Sequence, residues 1–299
     1  MTGAGAVHRH LADGRLHLQH GPIDMILQAD GPAPSVRAAH DAAIAHFDSL
    51  LSGLVSELPL LRQPVRPLAD CPLQGPVARA MARAARAHLP AFVTPMAAVA
   101  GAGADAILAA MRDVPGLSRA YVNNGGDIAL FLAPGAAPYR LGIVVDPASP
   151  ASPGRLVIGP DSPWRGVATS GARGRSHSLG IADSVTVVAQ DAGAADVAAT
   201  LIANAVDLPG DPAITRVPAH DLSPDSDLGA RLVTQHVARL SPHRIAAALD
   251  AGEAAAQAML ARGLIGGALI CLQGTARLQG KLPLHPNVSH LGKEALEHA

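Results

Sequence analysis

Aromatic residues are scarce in this chain, with one tryptophan, two tyrosines and three phenylalanines among 299 residues. That leaves few platforms on which bases of single-stranded nucleic acid could stack, and it obliges the core to be assembled from Ala, Val, Leu and Ile at close approach. Net charge is scarce as well, at -1 with a pI near 6.9, so no overall field draws the protein to nucleic acid or to an anionic membrane. The two cysteines, Cys71 and Cys271, lie far apart with no CxxC or Cys/His cluster beside either, which argues against a zinc site and for a reducing compartment. Long apolar runs are missing too. The least polar stretch, Ala91 to Met111, is interrupted by Pro95, Asp105 and two glycines, too broken to span a bilayer. The opening MTGAGAVHRHLADGRLHLQHG holds no apolar segment of a secretion signal or lipoprotein leader. The expectation is a cytoplasmic protein with neither nucleic acid nor membrane as partner.

What is present is a 49% hydrophobic composition, ample for a buried core. Residues Arg15 to Gln28 alternate apolar and polar about Gly21-Pro22 and predict two strands. After Pro34-Ser35 the residues Val36, Ala39, Ala43, Phe47, Leu50, Leu54 and Leu58 recur at steps of three and four, the stripe of a packed helix. A second helix is predicted from Val77 to Leu89, with Pro76 at its first turn and Arg79, Arg83 and Arg86 on a solvated face. Thr94 to Met111 is dominated by small residues in its first half, which asks either for close backbone packing or for a ligand. Strands are expected at Arg119 to Val122, Ile128 to Leu132, Tyr139 to Val145, Arg155 to Ile158 and Ala182 to Gln190. A helix follows at Gly193 to Val206, Pro209 to Asp227 reads as irregular, and Leu232 to Leu240 is an apolar segment. A long helix runs from Pro242 to about Arg262, and a last strand spans Leu264 to Leu272. Strands and helices interleave without steady alternation, so the fold class is α+β: one domain, residues 1–280, of mostly antiparallel sheet with flanking helices, and a polar tail, 281–299.

Three stretches carry candidate chemistry. In YVNNGGDIALF, Tyr121 to Phe131, Asn124-Gly125 is a strong hairpin signal because both central residues of the favoured turn need positive φ. The second glycine and Asp127 exceed what such a turn requires, and the carboxylate either meets a ligand or fixes the loop. GVATSGARGRSHSLGIADSV, Gly166 to Val185, has the glycines and hydroxyls that surround phosphate oxygens, with Arg173 and Arg175 supplying charge and His177 a candidate acid or base. It matches neither a P-loop nor a GxGxxG fingerprint. Asp196 and Thr200 stand four apart on a predicted helix and so share a face; such oxygen ligands suit Mg²⁺, while an Asp in a first turn also simply complements the helix dipole.

Taken in order, VNNGGDIAL, VATSG and SVTVVAQDAGAADVAATLIANAV resemble the ApbE-like superfamily, whose best-known members are Mg²⁺-dependent FAD:protein FMN transferases. They match its Asn-x-Gly-Gly-Asp element, its Ala-Thr-Ser-Gly loop and its strand followed by an Ala-Asp-x-x-x-Thr helix, with order and spacing agreeing from about residue 90 to 206. The whole chain looks closest to an uncharacterised cytoplasmic branch of that superfamily. The resemblance implies that Asp196 and Thr200 hold Mg²⁺ and that Asn123, Gly125, Gly126, Asp127, Thr169, Ser170 and Gly171 contact a flavin nucleotide, FAD or FMN. The chemistry implied is attack of an acceptor protein's threonine hydroxyl on the FAD pyrophosphate, releasing AMP, with the acceptor unidentified.

The chain also departs from the transferases. Their Lys-Gly-x-x-x-Asp element survives as Gly101 and Asp105, with Ala100 at the lysine. Their His-x-x-Asp-Pro-x-Thr-Gly segment is shortened to SHSLGIAD, in which His177 and Asp183 are the candidate catalytic remnants. A lost cation near a nucleotide removes a charge-assisted contact of about 1.5–3 kcal/mol. Two readings therefore stand: a cytoplasmic ApbE-like enzyme that binds a flavin nucleotide or another phosphorylated small molecule with Mg²⁺ and performs a transfer or hydrolysis at phosphorus, or a non-catalytic binding or scaffold protein that kept the fold and lost the reaction.

Overall fold

The computed structural model describes residues 5–67, 72–144, 154–174 and 176–286. Cys71, Val145, Arg175 and residues 287–299 of the expected tail lie outside them.

In chain order the elements are β1 Val7–His10, β2 Leu16–His20, β3 Ile23–Asp30, α1 Ala33–Ser56, α2 Leu58–Leu61 and α3 Pro76–Arg86. A 3-10 turn, Pro95–Ala98, leads into α4 Val99–Arg112, then β4 Arg119–Asn124, β5 Asp127–Leu132, β6 Tyr139–Gly142, β7 Gly154–Ile158, β8 Gly166–Ser170 and β9 Ser184–Ala189. The rest is α5 Ala192–Ala205, β10 Ile214–Pro218, α6 Ala219–Leu222, β11 Leu232–Val237, α7 Pro242–Ala261, β12 Gly267–Leu272, β13 Thr275–Gly280 and β14 Leu284–Pro286. The α+β expectation holds, and every strand pairing with a determined register is antiparallel.

The chain divides into two compact units. The first takes the residues up to Pro138 together with Gly159–Ala168 and Gln190–Asp196. Its strands run in the order β1-β2-β3-β4-β5, followed by the start of β8. β3 alternates strictly, with Ile23, Met25, Leu27 and Ala29 on the buried face and Asp24, Ile26, Gln28 and Asp30 on the other, as one-sided burial demands. Helix α1 lays Ala39, Ala43, Phe47, Leu50 and Leu54 against α4 and β3, the stripe that the sequence spacing predicts. Gly101 and Gly103 lie buried in α4, which packs on β4 and β5.

The second unit takes Tyr139–Ile158, Thr169–Ala189 and the chain from Val197 on. β9, β12 and β13 form a fully hydrogen-bonded antiparallel run, with β9 and β12 buried along their whole length and α7 packed on β12 and β13. β14, β7 and β6 make a small sheet, so Leu284–Pro286 of the polar tail expected from 281 is a strand.

Two expectations are corrected. Gly166 to Ser170, read as part of a glycine-rich loop, is strand β8, and Gly166 is there because a Cβ would sit 2.0 Å from the carbonyl carbon of Asp191. Pro209 to Asp227 is not wholly irregular: Ile214–Pro218 pairs with β11 through a register shift at Thr215/Arg216. Its hydrogen bonds come from a strand that follows 14 residues later, outside the reach of local composition.

Candidate functional site

The β4–β5 ladder runs down to the pair Asn124 and Asp127, so the central residues of the hairpin are Gly125 and Gly126, at φ +68° and +118°. The turn therefore lies one residue beyond the expected Asn124-Gly125. Asn124 stays in the strand because its buried side chain donates from Nδ2 to the carbonyl of Ala100 at 3.0 Å. Two glycines then occupy the two positive-φ positions, and Asn123 Oδ1 accepts the Gly126 N–H at 2.9 Å to close the turn. Asp127 is buried at the start of β5.

Beside this turn in the same unit, α4 and the start of α5 exchange carboxylates. Asp196 of α5 accepts the Gly101 N–H of α4 at 3.0 Å and is also bonded by the Ala100 amide. Asp105 of α4 accepts the Ala192 and Gly193 N–H groups of α5, at 3.1 and 2.8 Å. Asp191 Oδ1 takes the Ala194 N–H at 2.8 Å, and the Asp191 carbonyl takes that of Ala195. The four amides that open α5 are thus all satisfied by protein, which leaves that terminus no donor for a phosphate. Gly101 is the residue that permits the approach, since a Cβ on it would stand 2.2 Å from the Ala192 carbonyl oxygen. The small residues of this segment therefore serve close packing.

The site's electrostatics follow from crowding acidic groups among apolar neighbours. Burial pushes the Asp105 carboxyl up to about 7, the Asp191 charge adds to that, and the two amides pull the other way. Asp196 keeps part of its surface accessible, yet the protein packed round it and then the Asp127 charge raise its pKa well above the usual carboxylate range. Two carboxylates that repel each other in this way form a donor set that a divalent cation would complete. Among the described residues no three His, Cys, Asp or Glu side chains come together as a metal cage. Mg²⁺ needs no such cage, because it retains waters and takes one or two carboxylates.

In the second unit, Thr169 Oγ1 lies 2.9 Å from Thr186 Oγ1, and Thr200 Oγ1 lies 3.4 Å from Ser170 Oγ. Gly171, φ +149°, passes so close to Asp183 that a Cβ would be 2.5 Å from its carbonyl oxygen. Asp183 accepts from Arg173 Nε at 2.8 Å and from the Gln273 N–H at 2.5 Å, so its carboxylate ties two loops together. His177 is exposed. Asp127 and Asp196 are thus brought together in one unit, and the hydroxyls of Thr169, Ser170 and Thr200 are engaged in the other. Sequence reasoning passed over Asp105 as a working residue. Its signal was the Gly101-x-x-x-Asp105 spacing, which puts a glycine and a carboxylate on one helical face.

An antiparallel sheet with flanking helices, carrying the Gly-Gly-Asp turn beside a helix-borne aspartate, defines an ApbE-like fold. The ApbE protein of Thermotoga maritima superposes with a TM-score of 0.52 over 92% of this chain and 96% of its own, at 13% identity. The chain belongs to the family described as AbpE bacteria, whose model matches residues 8–278. The UPF0280 protein of Methanopyrus kandleri is 38% identical over 184 residues, 60% of this chain and 69% of that protein. That of Methanospirillum hungatei is 38% identical over 131 residues, 44% of this chain and 52% of its own. The chain thus spans about half the length of several of the curated relatives it matches. No helix among the described residues is long and apolar enough to cross a membrane.

Proposed function

We propose that this protein binds a flavin nucleotide together with Mg²⁺, and that the cation sits on Asp196 with Thr200 one helical turn further along α5. The observation that carries this reading is Asp196 with Asp127: burial first and then the Asp127 charge lift the Asp196 pKa, and a divalent cation would relieve the repulsion between the two carboxylates. The cation would offset charge on the phosphates. Asn123, Gly125, Gly126 and Asp127, with Thr169, Ser170 and Gly171, are the nucleotide contacts that membership of the ApbE-like superfamily suggests. His177 and Asp183 are the proposed catalytic pair for flavin transfer at phosphorus to an acceptor protein, in a cytoplasmic setting.

Titration with FAD, FMN and ADP, each with and without Mg²⁺, tests the reading. Saturable binding that Mg²⁺ strengthens and Asp196→Ala abolishes is expected; no saturable binding of any of the three overturns it.

A second reading has its own support. Where the transferases carry lysine, Ala100 uses its carbonyl to hold Asn124 and its amide to hold Asp196, so that position supplies no cation. Binding without transfer follows from it. Release of AMP from FAD would rule that reading out.

A further inference from the structure

The second unit contains a cavity of about 760 Å³ that shares Arg173 with the glycine-rich segment and none of its other lining with the residues assigned to the flavin. Three guanidinium groups border it, those of Arg173, Arg239 and Arg277. Leu240 and, from the first turn of α7, Pro242 and Ile245 add apolar lining. Arg173 reaches the cavity from the loop after β8, Arg239 from the segment between β11 and α7, and Arg277 from β13.

The chain holds these three cations in place with some care. Gln273 and Gly274 form the turn between β12 and β13, closed by the pair Leu272 and Thr275, and Gln273 is the one non-glycine at positive φ among the described residues, at +43°. A residue held in the left-handed region is sustained by what surrounds it. Here its side chain straps the segment that bears Arg239: Oε1 accepts the Leu240 N–H at 2.9 Å and Nε2 donates to the Ala238 carbonyl at 2.8 Å. Its backbone N–H goes to Asp183, the carboxylate that also receives Arg173 Nε. One turn thus positions two of the arginines. Thr275 and Arg277, two apart on β13, project to the same side and bring the third together with a hydroxyl. Asp183 receives Arg173 Nε, Glu253 stands 3.8 Å from Arg277 Nε, and Arg277 Nη1 reaches the Ala276 carbonyl at 3.5 Å. Arg239 is exposed at the cavity's edge.

We propose that this cavity is a binding site for an organic phosphate monoester, with the phosphate held by Arg239, Arg277 and Arg173 and the apolar body of the ligand against Leu240, Pro242 and Ile245. Guanidinium forks match phosphate oxygens in charge and geometry, and a cavity of this size accommodates a drug-sized molecule. The site needs no Mg²⁺, and its one link to the flavin reading is Asp183, which fixes Arg173 and belongs to the proposed catalytic pair.

Calorimetric titration of the full chain in EDTA, with phenyl phosphate, inorganic phosphate and benzoate as probes, decides the matter, because chelation silences any cation-dependent site. Saturable binding of phenyl phosphate is expected, about tenfold or more tighter than either control, weakened at least about tenfold by Arg239→Glu and by Ile245→Asp, and retained in Arg239→Lys. Circular dichroism of each variant separates lost binding from lost fold, and Arg239 is exposed enough for its variants to fold. No saturation with phenyl phosphate overturns the proposal. So does an affinity that Arg239→Glu and Arg277→Gln both leave within about twofold of the unaltered protein. Equal affinity for benzoate would overturn the assignment of phosphate, and equal affinity for inorganic phosphate the assignment of an apolar body.

Discussion

At the scale of single residues, Asp105 sets a pH dependence. Its folded pKa of about 7 lies above the ordinary carboxylate value, so folding takes up a proton between about pH 4 and pH 7. The stability this confers is complete below about pH 4 and is lost as the pH rises through 7, the reverse of a salt-bridged aspartate. Thermal melts between pH 5 and pH 8 should fall with pH, and Asp105→Asn should flatten that slope while lowering the melt at pH 5, since the amide replaces one acceptor with a donor facing the α5 amides. An unchanged slope would remove Asp105 as its source. None of this was visible in composition. The residue stood out only as the second member of a family element, because burial and the neighbouring Asp191 are products of folding. Asp127 was legible, since a Gly-Gly turn needs no carboxylate, and the structure buries it beside Asp196.

At the scale of elements, the β4–β5 hairpin and the start of α5 make predictions of different size. Gly126 sits at φ +118° with open space where a side chain would stand, so Gly126→Ala is penalised by backbone strain alone, about 1–3 kcal/mol, read from denaturant midpoints. Asp191 caps α5 through the Ala194 N–H, and Asp191→Ala should cost about 1 kcal/mol in the same assay. The loss would be offset in part by relief of its repulsion on Asp105. Elements with their own periodicity, such as α1, α7 and β9, were legible to within a few residues of their ends. β8 and β10 were not, because a strand beginning with glycine and a strand inside a Pro- and Asp-rich passage owe their state to partners distant in sequence. The hairpin register moved by one for a similar reason: the Asn124 contact to Ala100 joins residues 24 positions apart.

At the scale of the whole molecule, ligand linkage is the informative measurement. A nucleotide and Mg²⁺ that bind only the native state, supplied at about 100 times their dissociation constant, add about 2.7 kcal/mol and raise the melting temperature. The Mg²⁺ increment should grow with pH, because the cation proposed at Asp196 would compete with a proton whose binding there burial and the Asp127 charge favour. An increment independent of pH would place the ion elsewhere. The family was legible from the order of three short motifs, although each alone is common, and the α+β class from the irregular interleaving of strand and helix. What no motif recorded is how tightly the corner at Asp191 and Ala192 is enclosed. Gly101 presses on the Ala192 carbonyl from one helix, and Gly166 presses on the Asp191 carbonyl carbon from a strand. Two consecutive peptide planes, Asp191–Ala192 and Ala192–Gly193, are therefore each pressed by a bare backbone, and in a library carrying every amino acid at positions 101 and 166 even alanine should be purged from the folded fraction at both.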